Sequence, residues 1–224
     1  GKSKFDCAGH FGHIQLTEPV YNLSWVSNIL NWLKFVCVKC GNSLVKESFD
    51  VDAFVASTTI QRNKWMHYLV KKCSTKCAFC KEKQPRYSWS REKQLIKKDG
   101  ILYNDVFEHL CKIDDELIKK LNVSHPRDMM LTVLPVPPHT VRPPIMSGKT
   151  IRGEDDLTYR LLQILRCNDK LKRMKSSNRP LHIINDTREL LQLAVSGYIN
   201  HKKIGNSRKR SSKREYSSLS SRLT

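Results

Sequence analysis

The chain contains two copies of a short cysteine motif, Cys37-Val38-Lys39-Cys40-Gly41 and Cys77-Ala78-Phe79-Cys80. Two residues between the cysteines allow a tight turn to aim both sulfurs at one ion, and Gly41 relieves the turn that follows. Two such pairs make a tetrahedral site of four thiolates, which leaves no open position for catalysis. The motifs therefore predict a structural zinc on Cys37, Cys40, Cys77 and Cys80, with a structured insertion between the pairs.

Cys73 leaves the identity of one ligand open. It lies four residues before Cys77 and is close enough in sequence to chelate with it, although the turn geometry favours Cys77 with Cys80. Disulfides or a redox pair are the alternative to a metal. Eight cysteines in 224 residues are too few for a disulfide scaffold.

The remaining cysteines give weaker signals. Cys7 and His10 are spaced like half of a second metal site, with a solvated loop histidine as the alternative. Cys111 lies in phase with neighbouring apolar residues, and Cys167 follows an apolar helix face. We expect both to be thiols in the core.

Charge narrows the class of partner. The chain has 40 Lys+Arg against 21 Asp+Glu, a formal net charge of +19. Residues 61–100 contain 12 basic and 3 acidic residues, and the last 24 residues contain eight basic residues and one acid. A chain this basic is usually held against a polyanion, and nucleic acid is the first candidate. The hydrophobic share of 39% suits a modest core that a larger assembly completes.

Two helices with complementary apolar faces are predicted over residues 154–200. The acids of Glu154-Asp155-Asp156 suit a helix start, and residues 185–187 offer a cap for the second helix. The apolar positions of the first helix, with one polar member, are Leu157, Leu161, Ile164, Asn168 and Leu171; those of the second are Ile184, Leu191, Val195 and Tyr198. This spacing predicts an antiparallel helical hairpin with a coiled-coil seam, or else two helices of a globular core.

Other segments have simpler interpretations. Helical spacing predicts a helix over 20–36 and one or two short helices over 101–133. Five prolines in residues 134–144 indicate an extended segment, either a ligand for an adaptor domain or a buried connector. No stretch is apolar over the roughly 20 residues that a membrane span needs, and no signal peptide is expected.

Enzyme motifs are weak in this sequence. Ser147-Gly148-Lys149-Thr150 resembles the end of a phosphate-binding loop, but Pro143 stands where its first glycine is required. No hydrolase motif and no catalytic aspartate cluster occurs. The chain alone is therefore expected to be non-catalytic.

The N-terminal segment carries a resemblance to a known family. Cys7-Ala8-Gly9-His10-Phe11-Gly12-His13-Ile14, with Leu16 and Pro19-Val20, resembles a signature of the largest subunit of multisubunit DNA-directed RNA polymerases, with Ala8 in place of the usual proline. Further motifs follow in the family's order: Cys37 to Gly41, a cysteine pair before Gln84-Pro85, Leu131 to Pro138, Val141 to Pro143, Arg152 to Thr158, Leu190 to Gln192 and Ser217 to Thr224.

The resemblance implies a fragment of the polymerase clamp. The implied fold is α+β, mainly helical, with irregular zinc-bound segments, an antiparallel helical hairpin and flexible basic loops. The implied segments are a zinc-binding clamp head at 1–100, a helical and Pro-rich connector at 101–140, a lid at 141–157, the clamp hairpin at 154–200 and a basic rudder at 201–224.

The same resemblance implies ligands and contacts. Cys7 and His10 would be the last two ligands of another zinc site, whose first two ligands are expected upstream of Gly1. The implied nucleic-acid contacts are Arg142, Lys149 and Arg152 in the lid, and Lys202, Lys203, Arg208, Lys209, Arg210, Lys213 and Arg214 in the rudder.

The implied activity belongs to the intact enzyme. Nucleotidyl transfer and its magnesium would lie outside this chain, because the family's aspartate motif is absent. The implied partners are DNA, the RNA–DNA hybrid, other polymerase subunits, especially the second-largest, and initiation and elongation factors at the helices. The location would be the nucleus for a eukaryotic chain, or the cytoplasm for an archaeal or viral one. The alternatives are a free-standing zinc-stabilised nucleic-acid-binding protein, and a zinc-containing interaction module that uses the Pro-rich run.

Overall fold

The computed structural model describes residues 9–45, 50–147, 151–200 and 218–223. The chain divides into two compact units. We call Tyr21–Ser90 with Gln94–Met130 the cysteine unit. Gly1–Val20, Arg91–Lys93 and Leu131–Thr224 form the hairpin unit. The predicted mixture of helix and sheet is confirmed. The functional segments implied by the resemblance follow different boundaries and stay a prediction.

Helices and strands alternate irregularly along the described residues. The helices are α1 (Val26–Phe35), α2 (Val51–Ala56), α3 (Thr59–Lys71), α4 (Val106–Cys111), α5 (Asp115–Leu121), α6 (Asp156–Ser176), α7 (Leu181–Ile199) and α8 (Leu219–Leu223), with a 3-10 turn at Pro126–Met129. The strands are β1 (Gly12–Tyr21), β2 (Tyr87–Ser90), β3 (Leu95–Lys98), β4 (Ile101–Leu102), β5 (Met130–Val136), β6 (Ile145–Ser147) and β7 (Ile151–Gly153).

The core of the cysteine unit is built around α1. Its buried face contains Val26, Ile29, Trp32, Leu33 and Phe35. The helix predicted over 20–36 thus begins only at Val26. Val20 instead belongs to β1, because that strand pairs with β5.

The predicted structured insertion between the cysteine motifs is confirmed as α2 and α3. The first turn of α3 is stabilised by a capping box, in which the Gln61 backbone N–H donates to Thr58 Oγ1 and Gln61 Oε1 accepts from the Thr58 backbone N–H. After the second motif in sequence, β2, β3 and β4 form an antiparallel sheet, and Ile96 of its central strand is buried. The cysteine motifs therefore lie on ordered elements of one unit.

Both motifs fold into the same turn. The backbone N–H of Gly41 donates to the Cys37 carbonyl at 3.0 Å, and that of Lys81 donates to the Cys77 carbonyl at 3.2 Å. Gly41 and Lys81 both have positive φ, of 71° and 60°. A Cβ on Gly41 would lie 2.0 Å from the Lys112 carbonyl oxygen, so only glycine fits the first turn.

The hairpin unit is dominated by α6 and α7. Each residue of the two predicted apolar faces, Asn168 included, is buried. Asp155 caps α6 by accepting the Leu157 backbone N–H at 2.9 Å, as the acid cluster predicted. The cap predicted at residues 185–187 is wrong, because α7 already begins at Leu181, directly after Pro180. A supercoil between the helices stays a prediction.

Asn168 is the polar member of the α6 face, and its hydrogen bonds to β1 explain why a polar residue is buried there. Its side-chain oxygen accepts the Thr17 backbone N–H at 2.7 Å, and its amide nitrogen donates to the Gln15 carbonyl at 3.0 Å. The amide thus extends the hydrogen bonding of β1 at a point where a leucine would leave two backbone groups unpaired.

Glu18 makes a second polar tie between β1 and the helices. Its carboxylate accepts from the guanidinium of Arg188 on α7 and lies 2.9 Å from Lys175 Nζ on α6. Burial opposes ionisation, but the two cations outweigh it and hold the pKa of Glu18 below its usual range. The ion cluster therefore joins one strand to both helices of the hairpin.

The Pro-rich run has the character of a connector. Pro135 lies within β5, and Pro137 and Pro138 are buried. Gly9 has φ of +83°, and a Cβ there would lie 2.5 Å from Pro138 Cβ. Burial of these two prolines agrees with a connector, whereas Pro135, Pro143 and Pro144 are exposed.

Replacing Gly41 tests the packing of the first turn. We expect Gly41→Ala to destabilise the chain by about 2 kcal/mol or more, because positive φ and the clash with Lys112 add together. Lys81→Ala, at the matching position of the second motif, should change stability little. Urea unfolding measures both, and equal stability of Gly41→Ala and wild type would contradict the packing.

Acid titration tests the ion cluster at Glu18. Because the folded pKa lies below the unfolded value, its contribution is present above about pH 4.3 and is lost as pH falls through the folded pKa. Glu18→Gln should flatten that part of the stability–pH curve and cost about 2 kcal/mol at pH 7, since Arg188 loses its partner. The exposed Glu92→Gln of the same unit should retain the wild-type curve. If the acidic part of the stability–pH curve is the same in Glu18→Gln as in wild type, the ion cluster does not stabilise the fold.

Candidate metal centre

The structure brings four of the predicted ligands together. The sulfur atoms of Cys37, Cys40, Cys77 and Cys80 all lie within 4.8 Å of one another. Cys37 Sγ is 3.5 Å from Cys80 Sγ, and Cys40 Sγ is 3.6 Å from Cys77 Sγ. A tetrahedral zinc with bonds of about 2.3 Å requires sulfur separations of about 3.8 Å, whereas a disulfide requires about 2.05 Å. The arrangement fits a metal and excludes disulfides between these pairs.

The two turns approach each other so that each sulfur of one motif faces a sulfur of the other. Cys37 and Cys77, the first members of each pair, are almost fully buried, and the second members are half-buried. Outside the sulfurs, Lys39 Nζ lies 3.6 Å from a Glu82 carboxylate oxygen and forms an exposed ion pair between the turns. With four protein ligands in place, such a centre is structural rather than catalytic.

Gln84 supports the centre from outside the ligand set. Its side-chain nitrogen donates to Cys37 Sγ at 3.3 Å, and its side-chain oxygen accepts the Val38 backbone N–H at 3.1 Å. The Lys39 backbone N–H also donates to Cys37 Sγ, at 3.4 Å. Such bonds orient a thiolate and stabilise its charge. The sequence motif included Gln84-Pro85, but ligand spacing alone gave no reason to assign Gln84 this role.

Thiol acidity differs around the cluster. Burial opposes ionisation of Cys40, but hydrogen bonds from the backbone and side chain of Asn42 outweigh it and lower its pKa to about 6. A backbone hydrogen bond from Glu82 favours the Cys80 thiolate, yet burial and the three neighbouring sulfurs together raise the pKa of Cys80 to about 12. The Cys40 thiolate thus forms readily, whereas ionising all four cysteines needs a cation to offset the repulsion between their charges.

The remaining described cysteines lie outside the cluster. Cys73 is half-buried, donates to the Leu69 carbonyl at 3.4 Å, and has its pKa raised to about 11 by burial. The preference for Cys77 over Cys73 therefore agrees with the geometry. Cys167 is half-buried, and burial raises its pKa. The expectation of a core thiol at Cys111 is wrong, because α4 buries Val106, His109 and Leu110 and leaves Cys111 exposed.

The second predicted metal site is only partly within the described residues. His10 is exposed near the start of the hairpin unit, and Cys7 lies outside the described residues. Their assignment as ligands stays a prediction.

The predicted nucleic-acid contacts are described at two positions. Arg142 is half-buried and donates to the Pro137 carbonyl and to Thr158 Oγ1, each at 3.1 Å, so its guanidinium has structural partners. Arg152 pairs with Met146 in the β6–β7 ladder. Outside the described residues lie Lys149, Lys202, Lys203, Arg208, Lys209, Arg210, Lys213 and Arg214. All of these contacts stay predictions. Among the described helices, none has the length and apolar character to cross a membrane.

Comparison with known proteins gives a consistent result. The family model described as RNA polymerase Rpb1, domain 1, matches residues 1–224. Proteins named DNA-directed RNA polymerase subunit Rpo1N are similar to the chain. The one from Sulfolobus acidocaldarius is 34% identical over 219 residues, covering 90% of this chain and 25% of the relative. The one from Methanocaldococcus jannaschii is 36% identical over 216 residues, covering 89% of this chain and 16% of the relative.

A third relative, from Thermococcus celer, is 33% identical over 221 residues, covering 89% of this chain and 24% of the relative. The chain thus spans a quarter or less of the length of these curated relatives. The family model nevertheless covers every residue, including both cysteine motifs and the helical hairpin. The chain therefore belongs to the RNA polymerase Rpb1 domain 1 family, a fragment of the largest RNA polymerase subunit.

Proposed function

We propose that this chain forms the clamp region of a DNA-directed RNA polymerase, which holds DNA and the RNA–DNA hybrid during transcription. The observation that carries the proposal is the family match over residues 1–224. Because the chain spans a quarter or less of its relatives, nucleotidyl transfer and its magnesium belong to the intact enzyme. The role of this segment is then to position nucleic acid rather than to react with it.

Zinc is the ion we assign to the four-cysteine cluster. Four thiolates in a tetrahedron suit this borderline-soft ion, and the sulfur separations of 3.5 and 3.6 Å agree with its bond length. Zinc would supply folding free energy by joining two turns that are separated by α2 and α3. Gln84 would orient the Cys37 thiolate, and Asn42 would favour the ionised form of Cys40. A second zinc on Cys7 and His10, completed by ligands outside this chain, is part of the same proposal.

We assign the lid to residues 141–157 and the rudder to 201–224. The β6–β7 ladder gives the lid a hairpin base, with Ile145 opposite Gly153. At the end of this segment Asp155 is 2% exposed and accepts from the Arg222 guanidinium, which lies beyond the basic run. The ends of the two segments thus meet at one ion pair. This supports a shared role, because phosphate contacts work best on an anchored backbone.

The helical hairpin is assigned as a docking surface for initiation and elongation factors. Along α6, Tyr159, Leu162 and Leu165 are between 40% and 45% exposed, and Leu190 of α7 is 43% exposed. An apolar row on a stiff helix suits a protein partner. Other polymerase subunits, especially the second-largest, would cover further surface of the chain.

Metal analysis tests the zinc assignment. The purified chain should contain close to one zinc, because the second site lacks two ligands. Cys37→Ser and Cys80→Ser should lose the metal and unfold the cysteine unit, since structural zinc contributes on the order of 10 kcal/mol. Cys111→Ser, at an exposed cysteine of the same unit, should keep both metal and fold. Full metal retention in both ligand variants, measured by elemental mass spectrometry, would refute the assignment.

Salt-dependent binding tests the rudder. Changing Arg208, Lys209 and Arg210 to Gln should weaken duplex DNA binding and flatten the plot of log K against log salt by about 0.9 per lost phosphate contact. Lys112, Lys119 and Lys120, exposed lysines of the cysteine unit, give a control variant with the same charge loss. Fluorescence anisotropy at several salt concentrations measures both. An unchanged slope in the rudder variant would remove this part of the proposal.

A further inference from the structure

We propose that the cysteine unit carries its own surface for single-stranded nucleic acid, along the exposed face of α3 and the second cysteine turn. This surface is separate from the lid and rudder and does not depend on their assignment. We call it the α3–turn surface, and its residues are Lys64, Tyr68, Lys71, Lys76, Phe79 and Lys81.

Charge is the first observation. Residues 59–83 contain one acid, Glu82, and it pairs with Lys39 at 3.6 Å. The four lysines of the α3–turn surface are exposed, and none pairs with an acidic side chain of the residues that the structure describes. Arg62, by contrast, donates to the carbonyls of Ser57, Val55 and Asn122 and so stabilises the fold. The exposed lysines therefore present uncompensated positive charge.

Aromatic exposure is the second observation. Phe79, at the tip of the second turn, is 70% exposed, and Tyr68 is 49% exposed. The Tyr68 ring lies edge-to-face against Trp65, with centroids 6.2 Å apart, and Lys72 Nζ is 5.1 Å from the Tyr68 centroid. Trp65 in turn packs against the core. Tyr68 is thus held in place before any ligand arrives, which lowers the entropic cost of stacking on it.

The combination identifies the ligand class. Lysines neutralise phosphates, and every unpaired base offers a ring face to an exposed aromatic side chain. A duplex hides its base faces, and carboxylate side chains have no ring to stack, so neither a duplex nor a run of Asp and Glu uses both features. Phe79 follows the end of α3 by eight residues, which places it at most about 29 Å from Lys71. That separation is within the reach of one strand of about 12 nucleotides.

Binding of about 12 nucleotides of oligothymidylate to the full zinc-loaded chain tests the proposal. Tyr68→Ala with Phe79→Ala should weaken single-strand binding by about 10-fold or more, with an unchanged salt slope, because no charge is removed. Tyr68→Phe with Phe79→Tyr should restore affinity, since the rings are kept. Binding of a duplex of equal length should change little. Tyr68 and Phe79 are both surface positions, and zinc content verifies the fold.

Charge variants separate this surface from the rudder. Lys64→Gln with Lys71→Gln should flatten the single-strand salt slope by about 0.7 per lysine, while Lys119→Gln with Lys120→Gln should not. The proposal is overturned if the alanine variants bind oligothymidylate like wild type, if duplex binding falls equally, or if polyglutamate competes as well as the oligonucleotide. Loss of binding in the rudder variant alone would uphold the rudder and overturn the α3–turn surface.

Discussion

The fold of the cysteine unit depends on bringing four sulfur atoms within 4.8 Å of one another. The ligands come from two turns separated in sequence by α2 and α3, so their meeting closes a long loop and carries an entropic cost. Four thiolates at this distance would repel one another, and a bound cation would offset both costs. The absence of a side chain at Gly41 lets the first turn lie against the carbonyl of Lys112.

The hairpin unit likewise joins segments that are distant in sequence. Its strand β1 and helix α6 are far apart in sequence, and polar side chains fix their relative position. Asn168 pairs with the backbone of β1, and Glu18 accepts from Arg188 while lying close to Lys175. Apolar burial alone would allow the strand to slide along the helices, whereas these directed bonds specify one register. In each unit, a few directed polar contacts thus specify one arrangement of elements that pack through an apolar core.

Local patterns predicted what depends on neighbours in sequence. The turn ligands, the cap at Asp155 and the buried faces of α6 and α7 all follow from spacing within a few residues. Other features depend on partners distant in sequence. Val20 lies in β1, which pairs with β5. Helical spacing predicted the burial of Asn168, but not that its amide would bond to the backbone of β1. The role of Gln84 was missed for the same reason, since its partner Cys37 precedes it by 47 positions.

The net charge of +19 overstates what is available to a polyanion, because several arginines of this chain hold the fold together. Arg62 and Arg142 donate to backbone carbonyls, while Arg188 donates to the half-buried carboxylate of Glu18 and Arg222 to the buried carboxylate of Asp155. A planar guanidinium with several donors suits such fixed geometry, whereas an ammonium group on a flexible stem stays hydrated. Lysines therefore account for much of the exposed charge of the described surface. Phosphate binding through lysine is strong in sum and indifferent to sequence, which suits the clamp role proposed for this segment.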